Sequence, residues 1–283
     1  MRPCAEMSEI WNSAATGWEA NAQFVDDQLA LATEALLDAA GIGEGDAVLD
    51  LAAGPGGAGL AAAKRVGSGG SVLLSDLAAE MIAVAARRAI DAPNVSTAVF
   101  DQSEIAAEDG HFDAVITRHG LMFVEDPVAA VREAVRVLQP GGRYAAMTWG
   151  PREENPWLGL ILDAVGEQFG VPFPPPHLRG PFSLDDPAIL TSILQEGGLV
   201  DVRVETVATP MHSASLEAWW ERVPRLAGPL ATALAGMEPD VREAIEQRAL
   251  SAGASAASRA GDQIQFAGSV LIASGRVSGD DAR

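Results

Sequence analysis

Between residues 46 and 149 the apolar positions keep two rhythms in turn. Short runs of strand length fall at Val48–Leu51, Val72–Ser75, Asn94–Phe100, Phe112–Thr117 and Arg143–Thr148. Between them lie stretches with helical spacing, clearest in Val128, Val131, Val135 and Leu138, which recur at intervals of 3, 4 and 3. Asp126 followed by Pro127 is a start signal for that helix. Strands alternating with helices predict an α/β fold, a parallel sheet wound with helices on both faces. Upstream, Trp11, Trp18 and Phe24 sit among polar residues as an amphipathic helical preface. Leu29, Ala32, Leu36 and Ala40 mark a second helix, with Asp26-Asp27 expected as its cap. Downstream of 150 the rhythm breaks into proline and large apolar residues, then a helix from Asp186-Pro187. An alternating strand follows at Val200–Val207, then a mostly helical stretch over 213–260 and a last strand at Ile264–Ala273. The expected organisation is a helical cover over 1–45, a ligand-binding core over 46–150, and lid insertions plus the last two strands over 151–283.

The first strand runs directly into Gly54, Gly56, Gly57 and Gly59, and then into Leu60–Arg65, a helix-forming stretch. Strand, glycine turn and helix together place free backbone N–H groups at a helix start, where a nucleotide-bearing ligand can be held. The literal Gly54-x-Gly56-x-x-Gly59 also fits a dinucleotide site. Short-chain hydride transfer through a Tyr-x-x-x-Lys pair is closed, because Tyr144 is the only tyrosine and Lys64 the only lysine, far apart and in the wrong order. A phosphate-binding P-loop is closed too, since Lys64 does not follow the turn in the required arrangement. More telling than the turn are the strand ends. Asp50, Asp76, Asp101 and Arg118 each fall at the carboxyl end of an expected strand, where open α/β sheets bind ligands.

Composition narrows the partners. The formal net charge of -20 over 283 residues repels phosphate backbones, so nucleic acid is not an expected partner. The single cysteine, Cys4, allows no internal disulfide and no thiolate cluster, and His111, His119, His177 and His212 lack ligand spacing, so no metal is expected. The first residues carry Glu6 and Glu9 and no apolar leader core, and no run of about 18 apolar residues occurs. The expectation is a cytoplasmic protein without a membrane partner, monomeric or homodimeric, acting on a small molecule.

Several of these stretches, in this order, resemble the class I S-adenosylmethionine-dependent methyltransferases. The matching residues are Val48-Leu-Asp-Leu-Ala-Ala-Gly-Pro-Gly-Gly57, Asp76 with Met81 five residues on, and Asp101-Gln102. Phe112–Ile116 followed by Gly120-Leu-Met-Phe123, and Arg136-Val-Leu-Gln-Pro-Gly-Gly142 before the fifth strand, complete the set. The nearest flavour is the small-molecule subgroup that includes the ubiquinone/menaquinone-type C-methyltransferases. The resemblance implies a seven-stranded Rossmann-like sheet whose last strand is antiparallel and inserted between the fifth and sixth. It implies S-adenosyl-L-methionine as cofactor, with S-adenosyl-L-homocysteine as product. Asp76 would take the ribose hydroxyls, Asp101 and Gln102 the adenine amino group, and Met81 the adenine face. Gly54 and Gly56 would admit the methionine half, with Asp50 organising the turn. Ala52, Leu77, Arg118 and His119 complete the expected cofactor contacts. Trp18 and Trp11 either anchor the N-terminal helix or cover the cofactor, where a sulfonium gains from an aromatic face.

Methyl transfer is an in-line displacement on an activated sulfonium, so alignment and water exclusion carry much of it. His119, at the mouth of the fourth strand, is the candidate general base, or else a wall of the pocket. The lid supplies Trp157, Phe173, His177 and Trp219 as candidate acceptor contacts, which suggests an apolar or aromatic acceptor methylated at oxygen or carbon, of secondary-metabolite type. Two other readings stay open on sequence: an enzyme of this fold that performs another reaction such as a cyclisation, and a binding protein that kept the pocket.

Overall fold

The computed structural model describes residues 3–175 and 178–279. The chain opens with α1 (Pro3–Gln28) and α2 (Ala30–Ala39), and the alternation then begins: β1 (Ala47–Leu51), α3 (Gly57–Val66), β2 (Ser71–Asp76), α4 (Ala79–Arg88), β3 (Val95–Val99), β4 (Phe112–Arg118), α5 (Pro127–Val137) and β5 (Leu138–Trp149). After it come α6 (Pro156–Phe169), α7 (Pro187–Glu196), β6 (Val200–Ala208), β7 (Met211–Ser213), α8 (Leu216–Leu226), α9 (Gly228–Ala235) and α10 (Pro239–Ala256). The chain closes with β8 (Ser258–Ala260), β9 (Gln263–Phe266) and β10 (Ser269–Arg276).

Seven strands form one sheet in the order β3-β2-β1-β4-β5-β10-β6. β10 pairs antiparallel with both β5 and β6, and the first five strands pair in parallel. This is the expected α/β arrangement, with the last strand antiparallel and inserted between the fifth and sixth. Both faces of the central strands are buried, as their near-continuous apolar runs require. Val48, Val72, Ala114 and Ile272 face α2 and α3, while Leu49, Leu51, Val115 and Leu271 face α5 and α7. Asp126 caps α5 as its sequence indicates, its side chain accepting the Ala129 N–H at 3.0 Å.

Three local expectations change. Asp26 and Asp27 do not cap α2, which starts at an uncapped Leu29, because α1 runs on to Gln28 and Asp26 is drawn into ion pairs with arginines. α3 begins at Gly57 rather than Leu60, because Asp50 accepts the Gly59 N–H and so draws the glycine run into the first helical turn. The expected last strand is two strands. β9 belongs to a separate three-stranded sheet, β7-β9-β8, and β10 to the main one. The paired chain bends between them, where Thr209 N donates to Gly268 O at 2.8 Å.

That small sheet and α6, α8, α9 and α10 enclose a core of their own, around Trp157, Ile161, Trp219, Leu230, Ile245 and Phe266. This is the lid. α1 joins it to the main sheet, packing against α4 on one side and against α8 and α9 on the other. No helix among the described residues is long and apolar enough to cross a membrane.

Candidate functional site

The carboxyl ends of β1, β2 and β4 meet under α1. At β1 the chain leaves Leu51 through Ala52, whose φ of 52° is left-handed, a conformation that costs a non-glycine residue energy. Gly56 (φ 85°) then turns the chain into α3. Glycine is required there and at Gly59, where a Cβ would stand 2.0 Å from Leu74 Cδ2. Asp50 lies beneath this turn, fully buried, with Oδ2 accepting the Gly59 N–H at 2.8 Å and Oδ1 making no hydrogen bond. Burial pushes its carboxyl up to about 7, against the pull of the Arg118 charge and the Gly59 N–H.

Asp76 closes β2. Its Oδ2 accepts the Gly54 N–H and its Oδ1 the Ala78 N–H, each at 2.9 Å. The one carboxylate therefore holds the glycine turn and the entry to α4 together, and burial shifts its titration upward. Gln102 is 7% exposed with an unpartnered Oε1, and Asp101 accepts the Ser103 N–H at 2.8 Å. Met81 is buried beneath Ala78, Trp11 and Trp18. Two hydrogen bonds fix α1 across this region: Ser8 Oγ donates to Leu77 O at 3.0 Å, and Asn12 Oδ1 accepts the Glu80 N–H at 2.9 Å. The Trp18 indole N–H is buried with no acceptor.

β4 ends in Thr117, Arg118 and His119. Arg118 turns toward the helices, donating to Thr33 Oγ1 at 3.0 Å and pairing with Asp26 at 3.1 Å. Asp26 also pairs with Arg88, which donates to Pro55 O in the glycine turn at 2.7 Å. Arg118 thus ties the end of β4 to α1 and α2, and Arg88 ties α1 to the turn, both through or beside Asp26, which is expected from sequence as a helix cap. His119 (φ 61°) is the second left-handed non-glycine residue of the site, and its N–H donates to Met147 O at 2.8 Å. Its imidazole stacks on Trp149 with ring centroids 3.9 Å apart, and Trp149 meets Trp157 edge to face at 4.8 Å. Both ring nitrogens of His119 are buried without partners. Burial, reinforced by the Arg118 charge, holds its pKa well below the usual histidine range, so the ring is neutral.

Gly120 shows how close these ends lie, since a Cβ there would meet Ala52 Cβ at 2.4 Å, Thr117 Oγ1 at 2.6 Å and Gln102 Nε2 at 3.5 Å. Buried polar side-chain atoms are normally paired. Here unpaired ones gather: Asp50 Oδ1, Gln102 Oε1, Thr117 Oγ1, both His119 nitrogens and, under α1, Trp18 Nε1. Thr117 and Trp149 were not singled out from sequence. Trp149 carried a signal, an aromatic residue at the carboxyl end of the fifth strand beside the other strand-end residues. Of the expected acceptor contacts, Trp157 adjoins Trp149, with its N–H on Asn155 Oδ1 at 3.1 Å. Phe173 is half-buried against the lid core. Trp219 is 1% exposed, its N–H on Trp157 O at 2.7 Å and its ring on Phe266, which makes it a packing anchor of the lid. His177 lies outside the described residues.

Residues 49–146 match a family model described as a methyltransferase domain. Ubiquinone/menaquinone biosynthesis C-methyltransferase UbiE of Azotobacter vinelandii is 34% identical over 136 residues, which cover 47% of this chain and 53% of that protein. The match thus spans about half the length of the curated relatives. A SAM-dependent methyltransferase from Aquifex aeolicus aligns with a TM-score of 0.50 at 23% identity, over 66% of this chain and 89% of that one. The [4+2]-cyclase SpnF aligns with a TM-score of 0.52 at 19% identity, over 87% of this chain and 79% of that one. These two likenesses show the fold. In sequence and in topology the core of this chain resembles the S-adenosylmethionine-dependent methyltransferases of class I.

Proposed function

We propose that this protein is an S-adenosylmethionine-dependent methyltransferase acting on an apolar or aromatic small molecule at oxygen or carbon. The observation that carries the reading is the set of unpaired buried polar atoms at the ends of β1 and β4, beside Asp76 and the glycine turn. Such atoms are costly unless a ligand meets them, and their donor and acceptor mix suits a nucleoside bearing an amino acid. When bound, S-adenosylmethionine supplies an activated methyl group on a sulfonium. Asp76 has acceptor capacity left for ribose hydroxyls after holding two N–H groups, and Gln102 and Asp101 flank the adenine end. The N-terminus of α3 and Asp50 serve the methionine half, and Trp18 and Met81 pack over the nucleoside. Leu77, Ala52 and Gly56 shape the walls. His119, kept neutral against Trp149, aligns the acceptor without placing a second cation beside the sulfonium. α1 and the lid exclude water.

The name of the UbiE relative supports carbon as the methylated atom, and the aromatic row Trp149–Trp157 supports a flat apolar acceptor. The test is calorimetry with S-adenosylhomocysteine, followed by transfer of a labelled methyl group from S-adenosylmethionine to a panel of phenolic and quinol acceptors. One-to-one binding and label in an organic product are expected. Absence of cofactor binding by the folded protein overturns the reading.

A further inference from the structure

Asp26 stands in the last turn of α1, with Asp27 beside it and no basic residue in that turn. Acidic residues at a helix C-terminus oppose its dipole, so the helix itself gains nothing from them. Asp26 instead binds two arginines at once. Arg88 Nη2 donates to its Oδ2 at 2.5 Å, and Arg118 Nη2 to its Oδ1 at 3.1 Å. No other carboxylate among the described residues pairs with either arginine. The carboxylate is pressed against the glycine turn. A Cβ at Gly57, the first residue of α3, would stand 1.9 Å from Asp26 Oδ1 and 2.4 Å from Arg118 Nη2. With Arg88 also on Pro55 O and Arg118 also on Thr33 Oγ1, the two arginines and Asp26 close round the start of α3.

The charge matters as much as the clamp. Arg118 is the most buried of the three, its side chain 8% exposed against 22% for Arg88 and 24% for Asp26. A cation at that depth is costly without a counter-charge. Its field also reaches the site. Burial dominates the titration of both Asp50 and His119, and in each the next cause is the Arg118 charge. With Arg118 left unneutralised, the site would repel a positively charged ligand. S-adenosylmethionine carries a sulfonium, and S-adenosylhomocysteine lacks it.

Resting on the methyltransferase reading, we propose that Asp26 is a positioning residue for the cofactor. It acts through the two arginines, cancelling the Arg118 charge so that the site accepts a sulfonium, and holding the Pro55–Gly57 turn to α1 through Arg88. Because Asp26 rides on α1, the cancellation lasts only while α1 is docked. The cationic cofactor and the docked helix therefore favour each other by linkage. Methyl transfer leaves a neutral sulfur, so the product has a weaker hold on the docked helix than the substrate cofactor has.

The experiment is calorimetry on the full chain at low ionic strength, with S-adenosylmethionine and S-adenosylhomocysteine as the two probes. Asp26→Asn keeps the shape of the carboxylate and removes its charge. It should raise the Kd of S-adenosylmethionine relative to that of S-adenosylhomocysteine by at least about threefold, the scale of one unit charge acting across a partly screened site. Adding Arg118→Gln to that variant should return the ratio to within about twofold of wild type, since the two charges act as a pair. Arg118→Gln alone, which leaves Asp26 on Arg88, should shift the ratio in favour of S-adenosylmethionine. An unchanged ratio in Asp26→Asn, whether both affinities fall together or neither moves, confines Asp26 to a structural role and overturns the proposal. A ratio that the second substitution fails to restore overturns it too. Should Asp26→Asn not fold, Arg118→Gln decides by itself, and an unchanged ratio there overturns the proposal. A folded wild type that binds neither ligand overturns the methyltransferase reading instead, so the two failures are told apart.

Discussion

The His119 imidazole lies on the Trp149 indole, ring centroids 3.9 Å apart and planes 17° from parallel, at the carboxyl ends of β4 and β5. The contact fixes the ring orientation while leaving both nitrogens unbonded. Because burial and the Arg118 charge hold the imidazole well below its ordinary pKa, it is neutral throughout the working range. Turnover should therefore show no inflection from His119 between pH 5.5 and 8, a window set on the reference value of about 6.5. Trp149→Ala should lower turnover several-fold, since the stack is worth about 0.5–1.5 kcal/mol beyond the area it buries. A pH–rate inflection near 6.5 that disappears in His119→Asn would make His119 the general base.

Asp76 is committed to two backbone N–H groups before any ligand arrives. Asp76→Ala should weaken S-adenosylhomocysteine binding by about 1.5–3 kcal/mol, the range for a hydrogen bond to a charged group. It should also lower the melting temperature, because the Gly54 and Ala78 amides lose their acceptor. Asp76→Asn keeps an acceptor for only one of the two amides and turns an NH2 donor toward the other, so it should recover only part of the stability and less of the affinity. Calorimetry and thermal melting on the two variants separate these effects. Equal affinity in wild type and Asp76→Ala would remove Asp76 from the cofactor site.

Asp50 gives a pH dependence whose sign is fixed. Its carboxyl is raised from an ordinary 3.8 to about 7 in the folded chain. Between those values the folded state binds more protons than the unfolded one, so stability contributed by this group is present at low pH and is lost as pH rises toward 7. Asp50→Asn preserves an acceptor for the Gly59 N–H and removes the titration. The fall in melting temperature between pH 5 and pH 8 should be smaller in Asp50→Asn than in wild type by a few degrees. An identical fall in both would show that Asp50 does not carry it.

What the sequence could reveal follows from range. The order of strands, the glycine turn and the acids at 76 and 101 are local patterns, and the core fold was legible in them. The Asp26 pairings with Arg88 and Arg118 join positions 62 and 92 residues apart, and no local rule separates them from a helix cap. Likewise the break at Ala267–Gly268 is invisible in an apolar run, because it arises where the paired chain passes from one sheet to another.

Trp219 distinguishes lid packing from acceptor binding. The residue is buried to 1% exposure, donates to Trp157 O at 2.7 Å and packs on Phe266, so its ring fills the lid core while its N–H holds the first turn of α6. Trp219→Ala should cost about 3–5 kcal/mol, the usual scale for a buried tryptophan. Trp219→Phe retains most of the ring volume and loses the hydrogen bond, at about 1 kcal/mol net for that bond. Because Trp157 meets Trp149 and Trp149 meets His119, loosening the lid core should reach the acceptor through that row. The expected signature is a raised acceptor KM in Trp219→Phe with unchanged affinity for S-adenosylhomocysteine, since the proposed cofactor contacts lie under α1. Denaturant melts give the stability terms and steady-state kinetics the split. A Trp219→Phe variant with wild-type acceptor KM but a lowered melting temperature would confine Trp219 to stability alone.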